Sequence, residues 1–342
     1  MLEEIRQQPE VLSRLLQQER GKIQQLGAEL RKRDVRLIVL VARGSSDNAA
    51  QFGRYLLEIA TGIPVSLAAP SIYTLYAAKL RLEHALVVGV SQSGEGEDIN
   101  RVLTAARASG AFTVGITNEP ASSMVRMVDI PILIHGERER SVAATKTVTG
   151  QMTIFYLLAE ALAGATPATQ GFERVPEFCK AALEHEPAIR ELVQRYTFME
   201  NCVVLGRGLL YGNAYEMALK LMETCYVVAE RFSTADFFHG PLAMVERHFP
   251  VILFAAPGAM MEGVKTMAQR LEELHAETVV VTSDSELAAM CSRVIAMPAE
   301  IPESLAPIPY LIPGQLFAAL LAEAKGLNPD APRSLSKVTR TL

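Results

Sequence analysis

The chain has 342 residues, 49 % of them apolar and 21 % charged, with a formal net charge of −5. That is the makeup of a water-soluble globular protein of about two domains, long enough to bury two cores. The acidic balance argues against nucleic acid or an acidic membrane as the main partner, and no stretch approaches the roughly 18 uninterrupted apolar residues of a membrane-spanning helix.

The opening MLEEIRQQPEVLSRLL is charged and amphipathic. It lacks the apolar core and small-residue cleavage site of a secretory leader, so a cytoplasmic location is expected. Residues 2–33 repeat their apolar positions at helical spacing and read as a helix. The run Arg36-Leu-Ile-Val-Leu-Val-Ala42 reads as a buried strand, meets the turn Arg43-Gly-Ser-Ser-Asp47, and leads into a helix from Ala49 to Thr61. A short strand near Val65 and a helix around Tyr73–Leu80 follow. The strand Ala85–Val90 then runs into Ser91-Gln-Ser-Gly-Glu-Gly-Glu-Asp98, a helix reaches Ser109, and Phe112–Thr117 is a further strand. Continuous apolar strands alternating with helices imply a parallel sheet covered on both faces, an α/β class.

The second half repeats this order. Cys202–Gly208 and Pro250–Gly258 each read as a strand meeting a turn, and Thr278–Thr282 as a strand. Arg43 and Arg207 are 164 residues apart, as are Ser91 and Ala255, while Thr117 and Thr282 are 165 apart. Three such spacings in order point to two copies of one α/β unit. The expected division is a helical leader (1–34), a first unit (35–165), a linker (166–185), a second unit (186–326) and a polar tail (327–342) lying over a surface. The four cysteines are scattered with no CxxC pair, which predicts neither a disulfide framework nor a zinc site. No metal and no organic cofactor are expected.

Ligands of open α/β sheets bind at the carboxyl ends of the strands. Two hydroxyl-rich turns lie at such ends in the first half, Gly44-Ser45-Ser46 and Ser91-Gln92-Ser93-Gly94. Hydroxyls, turn N–H groups and a helix N-terminus together suit a phosphate monoester. Either turn alone is better explained by cap and turn chemistry; two at successive strand ends shift the balance toward an anion site. The second half lacks these serines. It offers instead Glu216, Lys220 and Glu223, at i, i+4 and i+7 on one helix face. They read as a solvated stripe with one ion pair, or, because their neighbours are apolar, as a buried carboxylate suited to proton transfer. His239 precedes Gly-Pro in a turn, as a structural histidine or as a proton carrier. Lys337 in the tail is a solvated lysine unless the tail folds over a cleft.

Gly44-Ser-Ser46, Ser91-Gln-Ser-Gly-Glu95, Val142-Ala-Ala-Thr-Lys146, Ala218–Glu223, Ala229-Glu230, His239-Gly-Pro-Leu242 and Pro332–Lys337 occur in this order along almost the whole chain. This set resembles the SIS-domain family of sugar-phosphate isomerases, and within it the isomerase half of glutamine–fructose-6-phosphate amidotransferase. The resemblance implies two tandem SIS domains, each a three-layer α/β/α unit with a flavodoxin-like parallel sheet. The chain starts on the leader helix with no glutaminase segment, so the expectation is a stand-alone glucosamine-6-phosphate deaminase, which Ala42–Asp47 and Lys337–Leu342 resemble in particular.

By that resemblance Ser46, Ser91, Gln92 and Ser93 bind the substrate phosphate. Gly44, Ser45, Val142, Ala144 and Glu216 line the sugar pocket. Glu223 moves the proton between C1 and C2, with Lys220 as its catalytic neighbour, and Lys337 contacts the open-chain sugar. His239 opens the sugar ring for a partner subunit, which implies a homodimer. Three positions depart from the synthase pattern: Gly96 stands where it has Thr, Ala144 where it has Ser, and Arg43 where it has Cys. The alternatives are a fructosamine-6-phosphate deglycase, a galactosamine-6-phosphate deaminase or isomerase, and a non-catalytic sugar-phosphate sensor.

Overall fold

A computed structural model of the chain describes residues 1–337 and contains two compact units. The first unit is Gln7–Glu173 together with the tail from Ser334, and the second is Arg174–Arg333 together with Met1–Arg6.

The first unit is built on a five-stranded sheet of β1 (Leu37–Val41), β2 (Val65–Leu67), β3 (Ala85–Val90), β4 (Phe112–Thr117) and β5 (Ile130–Leu133). Every pairing is parallel and the order is β2-β1-β3-β4-β5. All residues of β3 and β4 are buried, the two threonines of β4 included, as expected in a sheet covered on both faces. One face is covered by the helix Lys146–Ala163, which is buried along most of its length between the helices Gln8–Leu30 and Ser45–Thr61. The other face carries the helix Glu97–Ala108, whose Ile99, Val102, Leu103 and Ala106 pack onto Val39, Val41 and Val87. Burying one such aliphatic side chain contributes about 1.5–3 kcal/mol.

The second unit repeats the plan with β6 (Asn201–Gly206), β7 (Val228–Ser233), β8 (Pro250–Ala255), β9 (Glu277–Thr282) and β10 (Arg293–Ala296). Its order, β7-β6-β8-β9-β10, is the first sheet's order transposed, and it is again parallel throughout. Both sheets are therefore the flavodoxin-like α/β type expected from the sequence. The helix Pro307–Ala324 is apolar on all sides because it is buried on all sides within this unit. Among the described residues no helix is long and apolar enough to cross a membrane. In each sheet the order reverses beside the first strand, between β1 and β3 and between β6 and β8, and these switch points are where ligands of such sheets bind.

Three local expectations change. The leader is two helices, Leu2–Arg6 and Gln8–Leu30, the second with Pro9 in its first turn. The helix expected around Tyr73–Leu80 is only Ser71–Thr74. Leu75 and Tyr76 are 68 % and 80 % exposed and Ala77 has φ 48°, so the chain leaves the helical conformation after Thr74 and these apolar residues do not pack against the sheet. The edge strands β5, β7 and β10 escape the sequence reading: Glu230 and Arg231 interrupt β7, and β5 and β10 are only four residues long, β5 with Pro131 inside it.

Candidate active site

The turn after β1 begins with Gly44 at φ 56°, a left-handed conformation that favours glycine. Its carbonyl accepts from the Asp47 and Asn48 N–H groups at 2.9 and 3.1 Å and so starts the helix Ser45–Thr61. Ser46 is buried in the first turn of that helix, and its hydroxyl oxygen accepts from the Gln151 side-chain amide at 3.0 Å. The turn after β3 folds on itself in the same way. Ser91 Oγ accepts from the Gly94 N–H at 3.1 Å, and Ser93 Oγ accepts from the Glu95 N–H at 3.3 Å. The Gln92 carbonyl is held by the Asn118 N–H and by Thr117 Oγ1. Gly94 sits at φ 64° so close to its neighbours that a Cβ would lie 2.3 Å from Ser122 Oγ. Each of the three serine hydroxyls thus accepts a bond from within the protein, which leaves its own proton to donate outward. Hydroxyls and backbone N–H groups thus gather in the two turns that precede or start helices beside a switch point, the kind of donor set that suits an anion.

The loop from Ile134 to Thr145 carries Val142 and Ala144, both half-buried. It is organised by Glu139, whose side chain is fully buried. That carboxylate accepts from the Thr145 N–H at 2.9 Å, the Thr147 N–H at 3.2 Å and Thr147 Oγ1 at 2.8 Å. A further donor comes from the tail: Lys337 Nζ donates to Glu139 Oε2 at 2.8 Å and to the Ser141 carbonyl at 2.6 Å. Burial pushes the Glu139 carboxyl up, but the Lys337 ammonium and the threonine donors outweigh it and hold the group below the usual carboxylate range. A carboxyl depressed in the folded state adds stability above its unfolded value, near 4.5, and loses it as the pH falls through the folded value. Glu139→Gln is therefore expected to destabilise the protein by about 1.5–3 kcal/mol at pH 7, the range for a hydrogen-bonded charge. Melting curves from pH 7 to pH 3 should show this gap constant down to about 4.5 and closing below it; a gap independent of pH would assign the effect to packing.

In the second unit β6 leads through Gly208 into the helix Tyr211–Lys220, which continues as one π-helical turn, Leu221–Cys225. Such turns break the regular register and often mark functional sites. Lys220 is fully buried, and its ammonium lies 3.4 Å from Glu216 Oε1 and 2.5 Å from Glu223 Oε2. Glu216 is 1 % exposed and Glu223 is 22 % exposed, so Glu223 is the member of this row that opens to solvent. Of the two readings, a solvated stripe or a buried carboxylate, the structure has the second: a largely buried row in which two carboxylates share one ammonium and only Glu223 is partly accessible. Lys220 reaches outward through Glu223.

His239 follows the short helix Thr234–Phe238. Its N–H donates to the Asp236 carbonyl and its side chain is exposed, flanked by the exposed Phe238 and Met244. Among the described residues its ring forms no ion pair or hydrogen bond with the Glu216–Lys220–Glu223 row. No group of three or more His, Cys, Asp or Glu is placed to hold a metal among the described residues. An open groove of about 1060 Å³ runs along the outer face of the helix Glu97–Ala108, but none of the expected site residues lines it.

Sequence reading missed Glu139, Gln151 and Asp98. Asp98 is 2 % exposed and accepts from Arg43 Nε at 2.6 Å. Glu139 sits in Glu137-Arg-Glu-Arg140, which reads as a solvated charge run, and no local signal marks one of its four residues as buried.

The SIS domain pattern matches residues 30–161 and 199–323. A glutamine–fructose-6-phosphate aminotransferase (isomerizing) of Gloeobacter violaceus is 36 % identical over 356 residues, covering 98 % of this chain and 58 % of that protein. The chain spans little more than half the length of the curated relatives it matches. The solved C-terminal domain of glucosamine-fructose-6-phosphate aminotransferase from Francisella tularensis is 26 % identical, with a TM-score of 0.85 and coverage of 97 % of this chain and 98 % of that one. Glucosamine-6-phosphate deaminase from Thermotoga maritima shares the fold, with a TM-score of 0.80 at 23 % identity and 99 % coverage of both chains. With two matched segments, two parallel sheets of one order and full-length similarity, this chain belongs to the SIS domain family.

Proposed function

We propose that the protein is an amino-sugar-phosphate isomerase that works as a glucosamine-6-phosphate deaminase, converting glucosamine 6-phosphate and water to fructose 6-phosphate and ammonia. The observation that carries this reading is the row Glu216–Lys220–Glu223, in which one partly open carboxylate is ion-paired with a buried ammonium. In this reading Ser46, Ser91, Gln92 and Ser93 hold the 6-phosphate, and binding energy from that remote group orients the reacting end. Glu223 takes the proton from C2 of the open-chain amino aldose and returns it to C1. The double bond moves from C1=O to C2=N, leaving a ketimine. Water adds at C2 and the amine departs as ammonia, so atoms balance with no redox step. Lys220 holds Glu223 in place through their 2.5 Å ion pair, and Lys337 is poised beside the Val142–Ala144 loop to contact the sugar.

His239 is assigned to ring opening in a homodimer, which accounts for its exposure beside Phe238 and Met244. The deaminase direction draws on the likeness of Ala42–Asp47 to that group, and it ranks above the aminotransferase activity named for the relatives.

The test is ammonia release from glucosamine 6-phosphate by the purified protein with EDTA present and no added cofactor. Ammonia with stoichiometric fructose 6-phosphate is expected, from a preparation whose light-scattering mass is that of a dimer. Sugar-phosphate binding without ammonia would turn the reading to a deglycase, shown by release of an amino acid from a phosphorylated fructosamine, or to a sensor that turns nothing over.

A further inference from the structure

The two serine turns provide hydroxyls and backbone N–H groups but almost no positive charge. Over residues 42–50 and 90–100 the chain carries four carboxylates, Asp47, Glu95, Glu97 and Asp98, and a single cation, Arg43. A phosphate monoester carries nearly two negative charges at neutral pH. Helix N-termini offer about half a charge each. Without a cation directed at it, the dianion would sit in a net acidic surround.

Arg43 is placed to supply that cation. It lies between β1 and Gly44, and its side chain crosses to Asp98 in the first turn of the helix that follows Ser91–Gly94. The strands below are direct neighbours, with Val41 opposite Gly89, so this crossing runs from one turn to the other. The Arg43 Nε donates to Asp98 Oδ2 at 2.6 Å, while 54 % of the arginine side chain remains open to solvent. Asp98 is itself buried and hydrogen-bonded to the Ile99 N–H. A rigid carboxylate holding one edge of the guanidinium aims its remaining donors, and a planar guanidinium matches phosphate oxygens in pairs. Its charge also reaches the start of the helix Ser45–Thr61: burial pushes the Asp47 carboxyl up, and Arg43 opposes that rise.

We propose that Arg43, aimed by Asp98, is a charged ligand for the substrate's phosphate and makes the site selective for a dianionic ester over the unphosphorylated sugar. This rests on the phosphate role given above to Ser46, Ser91, Gln92 and Ser93.

Calorimetry with fructose 6-phosphate and with inorganic phosphate tests it on the wild type, Arg43→Ala, Arg43→Lys and Ser91→Ala. Arg43→Ala should weaken both ligands by about 10- to 100-fold, the size of a charge-assisted hydrogen bond. Arg43→Lys, which keeps a cation for Asp98, should fold as the wild type does and lose less affinity. Affinities within twofold of wild type in Arg43→Ala, with Ser91→Ala clearly weakened, would overturn the proposal and leave Arg43 as a strut between strand and helix. A lower melting temperature at unchanged affinity would do the same. Binding of neither ligand by the wild type would instead overturn the phosphate site itself, and the proposed function with it.

Discussion

Glu223→Gln is expected to lower turnover of glucosamine 6-phosphate by about 10²- to 10⁴-fold, the usual contribution of a positioned general base, while changing affinity for fructose 6-phosphate only a few-fold. The amide keeps the size of the carboxylate and can still accept a hydrogen bond from Lys220, whose Nζ lies 2.5 Å from Glu223 Oε2. It cannot accept the C2 proton. Glu216 cannot take over, because it is 1 % exposed and lies behind Lys220. The measurement that separates this from a binding defect is solvent deuterium incorporation into fructose 6-phosphate at C1, which reports the proton transfer alone. Wild-type exchange in Glu223→Gln would remove Glu223 from the chemistry, whatever happened to overall turnover.

Lys220→Met is expected to be the most destabilising single change in the second unit. Two carboxylates, 1 % and 22 % exposed, share this ammonium, which is itself fully buried. Removing one partner of a buried ion pair typically costs about 3–5 kcal/mol, because the remaining charge stays desolvated and unpaired. For a unit of this size that corresponds to a fall of roughly 10 °C in melting temperature, at about 2–4 °C per kcal/mol. Adding Glu216→Gln to Lys220→Met should recover part of the loss, since the neutral pair no longer confronts Glu223 with a like charge. Such recovery would identify charge compensation as the cause. A Lys220→Met protein that melted within about a degree of wild type would show that the two carboxylates do not depend on the ammonium for their place in the fold, and the ion pairs described above would carry no stability.

Much of this architecture follows from local pattern. The runs Leu37–Val41, Ala85–Val90, Phe112–Thr117 and Pro250–Ala255 are largely apolar because central strands of a parallel sheet are buried on both faces. Periodicity therefore marks them, and their equal spacings reveal the repeat. The hydroxyl-rich turns are legible for the same reason: they occupy three or four consecutive residues, and their position after a buried strand fixes the sheet end at which they lie. Glu216, Lys220 and Glu223 are also close enough in sequence for helix geometry to place them on one side.

What local pattern could not supply is burial, charge balance and partnership across sequence distance. Whether Lys220 is solvated or enclosed depends on the helix Pro307–Ala324 and on the turn held by Cys225 Sγ donating to the Ala318 carbonyl, about ninety residues away. Glu139 looks like any surface charge until Thr145, Thr147 and Lys337, the last 198 residues downstream, converge on it. Arg43 becomes more than a turn residue only because Asp98, 55 residues later, is buried where its carboxylate can hold the guanidinium. A carboxylate's worth is set by what surrounds it after desolvation, and those surroundings exist only once the chain has folded.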